Sequence, residues 1–132
     1  MKRMTVVAAL AASAMLAMPV ASADTASKGQ AKLAKILEDR VAGEPQSCVQ
    51  TFPNTHMRII DETAIVIDRG STIYVNVPRH PDSLDEDDAM KIRRTSSQLC
   101  RTDIVTTFDR TGGIYTGNIF LGDFVPYKKT DS

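Results

Sequence analysis

The chain has 132 residues with 16 Lys+Arg against 16 Asp+Glu, a formal net charge of zero, 42% hydrophobic residues and two cysteines. That balance favours neither nucleic acid nor an anionic membrane surface, both of which need concentrated positive charge. The length suits one domain, large enough for a core and small enough to gain from a covalent staple.

Lys2 and Arg3 precede the apolar run Val6 to Val20, and Ala21-Ser22-Ala23 comes directly after it. A basic start, an apolar middle and a small-residue site read as a signal peptide over residues 1–23, because the run is short for the roughly 20 residues of a membrane span. The expectation is export, to the periplasm first and to the outside as second choice, with no stable membrane insertion after cleavage. Cutting after Ala23 removes two bases and no acid, leaving 14 basic and 16 acidic residues and a net charge of −2. Cys48 and Cys100 both lie in the exported part, where an oxidising compartment makes a disulfide the default over two free thiols. Closing a loop of that length is worth at most roughly 4 kcal/mol of unfolded-state entropy.

Residues 24–45 read as an N-terminal helix and linker. Across Ser27 to Val41, Leu33, Ile36, Leu37 and Val41 share one helical face, and Gly43 and Pro45 mark its end. The stripe is narrow, so the helix is expected to pack on one side of the β-rich domain or to be a loosely held arm. Residues 46–127 change to short β-branched segments. Cys48 to Phe52 is a first strand; Met57 to Ile60 and Thr63 to Asp68 flank a tight Asp61-Glu62 connection. After a turn at Asp68 to Ser71, Thr72 to Val77 alternates, with Ile73, Val75 and Val77 facing one way and Thr72, Tyr74 and Asn76 the other. An antiparallel meander is the simplest arrangement.

Ser83-Leu84-Asp85-Glu86 fits a helix capping box, which predicts a short helix from about Leu84 to Lys91. Ile104 to Phe108 is expected as the spine strand of the domain, Asp109 to Gly113 as a turn, and Ile114 to Tyr115 with Ile119 to Leu121 as one or two last strands. Phe124 to Tyr127 should close the core, and the tail 128–132 should fray. The expected class is mainly β (α+β): a small antiparallel curled sheet or barrel with one N-terminal amphipathic helix and one disulfide.

Cys48, Arg58-Ile59-Ile60-Asp61, Tyr74-Val75-Asn76, Leu99-Cys100, Asp103-Ile104 and Leu121-Gly122-Asp123-Phe124-Val125-Pro126, taken together, resemble a family of small exported bacterial proteins, domain-of-unknown-function family 6491. The resemblance runs from about Ser47 to Tyr127 and implies a compartment and an architecture, with no activity to carry over. Such proteins typically have four cysteines; here the second position falls within His80 to Leu84 and the fourth at about Ile119, with no cysteine at either. If disulfides are lost in pairs, the resemblance implies that the remaining Cys48 and Cys100 are partners, and it argues against a four-cysteine metal site.

Chemistry is sparsely signalled. His56, His80, Asp82, Asp85, Asp87 and Asp88 lack ligand spacing and the D-x-D-x-D-G order of a calcium loop, so no metal and no cofactor are expected. There is no G-x-S-x-G elbow and no H-E-x-x-H. Ser96 and Ser97 would need to meet His56 or His80 in space, Cys48 and Cys100 lack the C-x-x-C spacing, and Asp109 to Gly113 lacks the phosphate-loop lysine. The reading is a non-catalytic binding or interaction module of the cell envelope, with an envelope protein or a small ligand as partner. Its candidate surface is Arg69, Tyr74, Arg93, Arg94, Arg101 and Asp103. The alternative is a hydrolase-like enzyme with a site near Arg101 and Asp103, beside the disulfide.

Overall fold

A computed structural model describes residues 23–53, 55–94 and 96–130. The expected leader, up to residue 22, lies outside the described residues, as does Asn54 at the close of the first strand. The described elements are α1 (Ala23–Ile36), β1 (Arg40–Ala42), β2 (Cys48–Gln50), β3 (His56–Ile60), β4 (Ala64–Asp68) and β5 (Thr72–Asn76). A short 3₁₀ turn at Pro81–Ser83 leads to β6 (Asp88–Ile92), β7 (Gln98–Cys100), β8 (Ile104–Asp109), β9 (Tyr115–Phe120) and β10 (Phe124–Lys129). Among the described residues no helix is long and apolar enough to cross a membrane.

The apolar run Ala64 to Ile67 explains the architecture. Four successive buried residues on a strand require cover on both faces of the sheet. β4 is therefore interior to a five-stranded antiparallel sheet of order β1-β10-β5-β4-β3, in which β3, β4 and β5 form the expected meander. On one face Ile60, Ala64, Val66, Ile73 and Val75 pack beneath Leu33, Ile36 and Leu37, the last of these just beyond the end of α1. On the other, Ile59, Ile65, Ile67 and Phe124 join Val49, Leu99, Val105 and Ile119 from the remaining strands. Each fully buried side chain of this kind contributes about 1.5–3 kcal/mol relative to exposure. The centre of the domain is thus β4 with β5 and β10, and β8, expected as its spine, is instead the middle strand of a separate three-stranded sheet, β6-β8-β9.

The third sheet is the pair β2-β7, in which Cys48 stands opposite Cys100 and is bridged to it. An isolated bridge between Gln46 and Phe124 links the approach to β2 with β10. The three sheets share a core without closing on one another, so the barrel alternative is set aside.

Three further expectations are corrected. The helix ends at Ile36, and Val41 lies in β1 with 57% of its surface exposed. Asp39 takes a left-handed conformation (φ 62°), which Asp tolerates, and turns the chain back to pair β1 with β10. The tail does not fray as far as Thr130: Lys128 and Lys129 belong to β10, and the Thr130 N–H donates to the Asp39 carbonyl at 3.0 Å. The Leu84 to Lys91 helix does not form. Ser83 closes the 3₁₀ turn by donating to the His80 carbonyl, Leu84 is extended and buried, and β6 pairs with β8. Sheet pairing and burial outweigh a local helix preference worth only tenths of a kcal/mol per residue, on the order of 0.7 at most. The segment is held by turn contacts instead: Asp85 accepts from the Asp87 N–H at 2.9 Å, and the Glu86 N–H donates to Asp61 of the β3–β4 turn at 2.6 Å.

The turn at Asp109 forms as expected, with Gly113 at φ 66° donating to the Asp109 carbonyl. The Thr111 hydroxyl and backbone N–H both donate to the Asp109 carboxylate and hold its pKa below the usual carboxylate value.

Candidate functional site

The most distinctive surface forms where β5, β7 and β9 run out together. Asn76 ends β5 fully buried, and its side chain donates to the Gly122 carbonyl at 2.7 Å while accepting the Gly122 N–H at 2.9 Å. This clamp holds the β9–β10 turn against the end of β5. A side chain at Gly122 would overlap the Val77 carbonyl, so the close approach requires glycine. Beyond the clamp the Arg79 N–H donates to the Phe120 carbonyl at 3.1 Å.

Opposite, the chain turns from β7 into β8 at Cys100 to Asp103. The Cys100 N–H donates to Asp103 Oδ2 at 2.8 Å, and the Asp103 N–H to the Cys100 carbonyl at 2.9 Å. The Arg101 N–H donates to the Ser47 carbonyl, and its guanidinium reaches Asp123 at 2.9 Å. That ion pair is about half exposed on both sides and is worth on the order of 0–1 kcal/mol.

Between these two turns lies a groove of about 660 Å³ lined by Val77, Arg79, Arg101, Ile104, Phe120 and Asp123, among others. Three of its apolar members are open, Val77 at 53%, Ile104 at 50% and Phe120 at 46% exposed, while Leu121 is buried. Ile104 and Phe120 are direct partners across β8 and β9, so two large side chains stand side by side on a solvent-facing surface. A ligand seated there meets an apolar patch with the guanidinium-bearing Arg79 and Arg101 on its border. Among the described residues, those lining the groove include no histidine and no serine.

The candidate residues separate in space. Arg101 and Asp103 line this groove. Asp103, however, has one carboxylate oxygen engaged by the turn, so its first role is to shape the β7–β8 corner. Arg69 and Tyr74 come together elsewhere, with the Arg69 guanidinium 5.0 Å from the Phe52 ring centre and 6.0 Å from that of Tyr74. Arg69 and Phe52 border a concavity of about 510 Å³ that includes His56. Arg93 and Arg94 come after β6 as exposed side chains and line neither concavity. Ser96 Oγ is engaged with the Gln98 backbone, and Ser83 Oγ with the His80 carbonyl. Among the described residues no group of three or more His, Cys, Asp or Glu could hold a metal ion.

Sequence reasoning missed Val77, Arg79, Ile104 and Phe120 as site residues. Alternation places Val77 on the same strand face as Ile73 and Val75, but β5 stops at Asn76 and the alternation stops with it. Ile104 opens the strand expected as the spine of the domain, yet it faces solvent. The alternation of β8 is the available signal, since it buries Val105 and Thr107 and leaves Ile104 on the outer face.

No protein-family model, no curated protein and no solved structure matches this chain.

Proposed function

We infer that this chain is an exported, non-catalytic binding module of the cell envelope, and that the groove between the β7–β8 and β9–β10 turns is where its partner or small ligand seats. The observation that carries the reading is the open apolar trio Val77, Ile104 and Phe120 beside Arg79 and Arg101. Large apolar side chains left half exposed as a contiguous group mark interaction surfaces more often than scattered ones do. Export is supported by the leader-like pattern of residues 1–23 and by the Cys48–Cys100 disulfide, a bond that persists in oxidising compartments. The resemblance to domain-of-unknown-function family 6491 is consistent with this reading and is itself a proposal.

The test is native mass spectrometry of the protein isolated from its own exported fraction, beside the same protein carrying Ile104→Ser and Phe120→Ser. The expected result is a mass for Asp24 to Ser132 less two hydrogens, with a stoichiometric added mass that the double variant loses while staying folded. A wild-type protein without added mass, or a variant that keeps it, would overturn the groove as the site.

A further inference from the structure

The opposite end of β5 has a different character. Its first residue, Thr72, and the Gly70-Ser71 turn before it line a concavity of about 500 Å³ together with Lys128 and Lys129 of β10. Arg40 of β1 is fixed beside them, its guanidinium donating to the carbonyls of Ser71 and Tyr127, both at 3.2 Å. The pairing order accounts for the gathering. β10 lies between β1 and β5, so Arg40 stands opposite Lys129 on one face of the sheet and Lys128 opposite Thr72 on the other, and the two pairs meet at the rim where the strands end. The adjoining concavity shares Gly70 and adds Arg69, which is held against Phe52 and Tyr74.

Four cations, Arg40, Arg69, Lys128 and Lys129, therefore border one hairpin tip in a chain whose formal net charge is zero. Among the described residues no acid lines the 500 Å³ concavity. The acid in the hairpin itself, Asp68, accepts the Gly70 N–H at 2.9 Å. Among the described residues none of the four cations has a carboxylate within ion-pair distance. Gly70, at φ 80°, leaves open space where a side chain would stand. Clustered cations, hydroxyls and an open glycine turn are the ingredients with which proteins hold multi-oxygen anions.

We propose that the concavity lined by Gly70, Ser71, Thr72, Lys128 and Lys129, with Arg40 beside it, binds a phosphate group. Lys128 and Lys129 supply flexible charge from either face of the rim, Arg40 supplies fixed charge, and Ser71 and Thr72 contribute hydroxyls to the lining. The site is independent of the groove, which lies at the Asn76 end of the same strand, on the order of 13 Å away at the rise of a β-strand. The phosphate can belong to a lipid headgroup or to a soluble phosphorylated molecule; the chemistry of recognition is the same.

The test uses the full exported, disulfide-bonded protein and inorganic phosphate as probe, with backbone amide shifts read at Gly70, Ser71 and Thr72 against chloride at matched ionic strength. A saturable shift confined to this hairpin end is expected. The Lys128→Gln, Lys129→Gln double variant should weaken it about tenfold, as loss of charge-assisted hydrogen bonds implies, with an unchanged thermal midpoint. Vesicles of phosphatidylcholine with and without phosphatidylglycerol form the second arm. Retention only on the anionic vesicles assigns the phosphate to a headgroup, and a phosphate response without retention assigns it to a soluble ligand. Absence of the shift, an equal shift with chloride, or an undiminished shift in the double variant would overturn the proposal.

Discussion

Asn76 is a polar residue at the edge of an apolar core, and its two hydrogen bonds to Gly122 replace the backbone pairing that the β9–β10 turn would otherwise lack. Asn is depleted in strands because its amide competes for backbone partners, and here that competition is the function of the residue. Asn76→Ala should remove both bonds and strand the Gly122 N–H and carbonyl, costing about 2–4 kcal/mol at 1–3 kcal/mol for each unsatisfied group after partial relaxation. Urea unfolding measures this directly, and an unchanged midpoint would show that water takes over both Gly122 groups. Since Gly122 lies beside Leu121 and Asp123 in the groove lining, the clamp also connects core stability to the shape of the candidate site.

At the level of elements, α1 is a docked cover on the main sheet. Leu33 and Ile36, with Leu37 just after the helix, pack on the face formed by Ile60, Ala64, Val66, Ile73 and Val75. Gly29 lets the helix meet the β3–β4 turn, because a side chain there would overlap the Thr63 hydroxyl and the Asp61 carbonyl. Lys32 reaches Glu86 at 2.9 Å, an exposed contact that orients the helix more than it stabilises it. Gly29→Leu should therefore lift α1 while leaving the sheet paired. Hydrogen exchange should show α1 amides on the order of tenfold less protected, with β4 and β5 unchanged, as expected for a separate local opening. Unchanged protection along α1 would show that the close approach of Gly29 is dispensable. The 3.6-residue stripe marks this helix in the sequence but carries it on to Val41, since nothing local distinguishes a last helical turn from an edge strand that pairs with β10.

For the whole molecule, the Cys48–Cys100 bridge closes a 52-residue separation that contains the meander and β6. It ties together a two-stranded sheet too small to persist unaided, and Val49 and Leu99 beside it are core residues. Cys100→Ser should destabilise the protein by about 2–5 kcal/mol, the usual range for small secreted domains. A thermal midpoint unmoved by the substitution or by reduction would refute a structural role. Much of this fold is legible in one dimension: alternation locates β5, short β-branched runs locate β3, β4 and β8, glycine and aspartate locate the turns, and two cysteines in an export-like context indicate the bridge. Those features arise from the backbone periodicity of strands and helices and from residue chemistry, so they need no knowledge of distant partners. The tertiary structure alone decided that both faces of β4 are covered, that Asp88 to Ile92 is a strand and that Ile104 and Phe120 stand open to solvent. It alone also brought Arg40 to the carbonyl of Tyr127, 87 residues away. Such outcomes depend on which strands pair and which faces meet, and that choice belongs to the energy of the assembled core rather than to any local stretch.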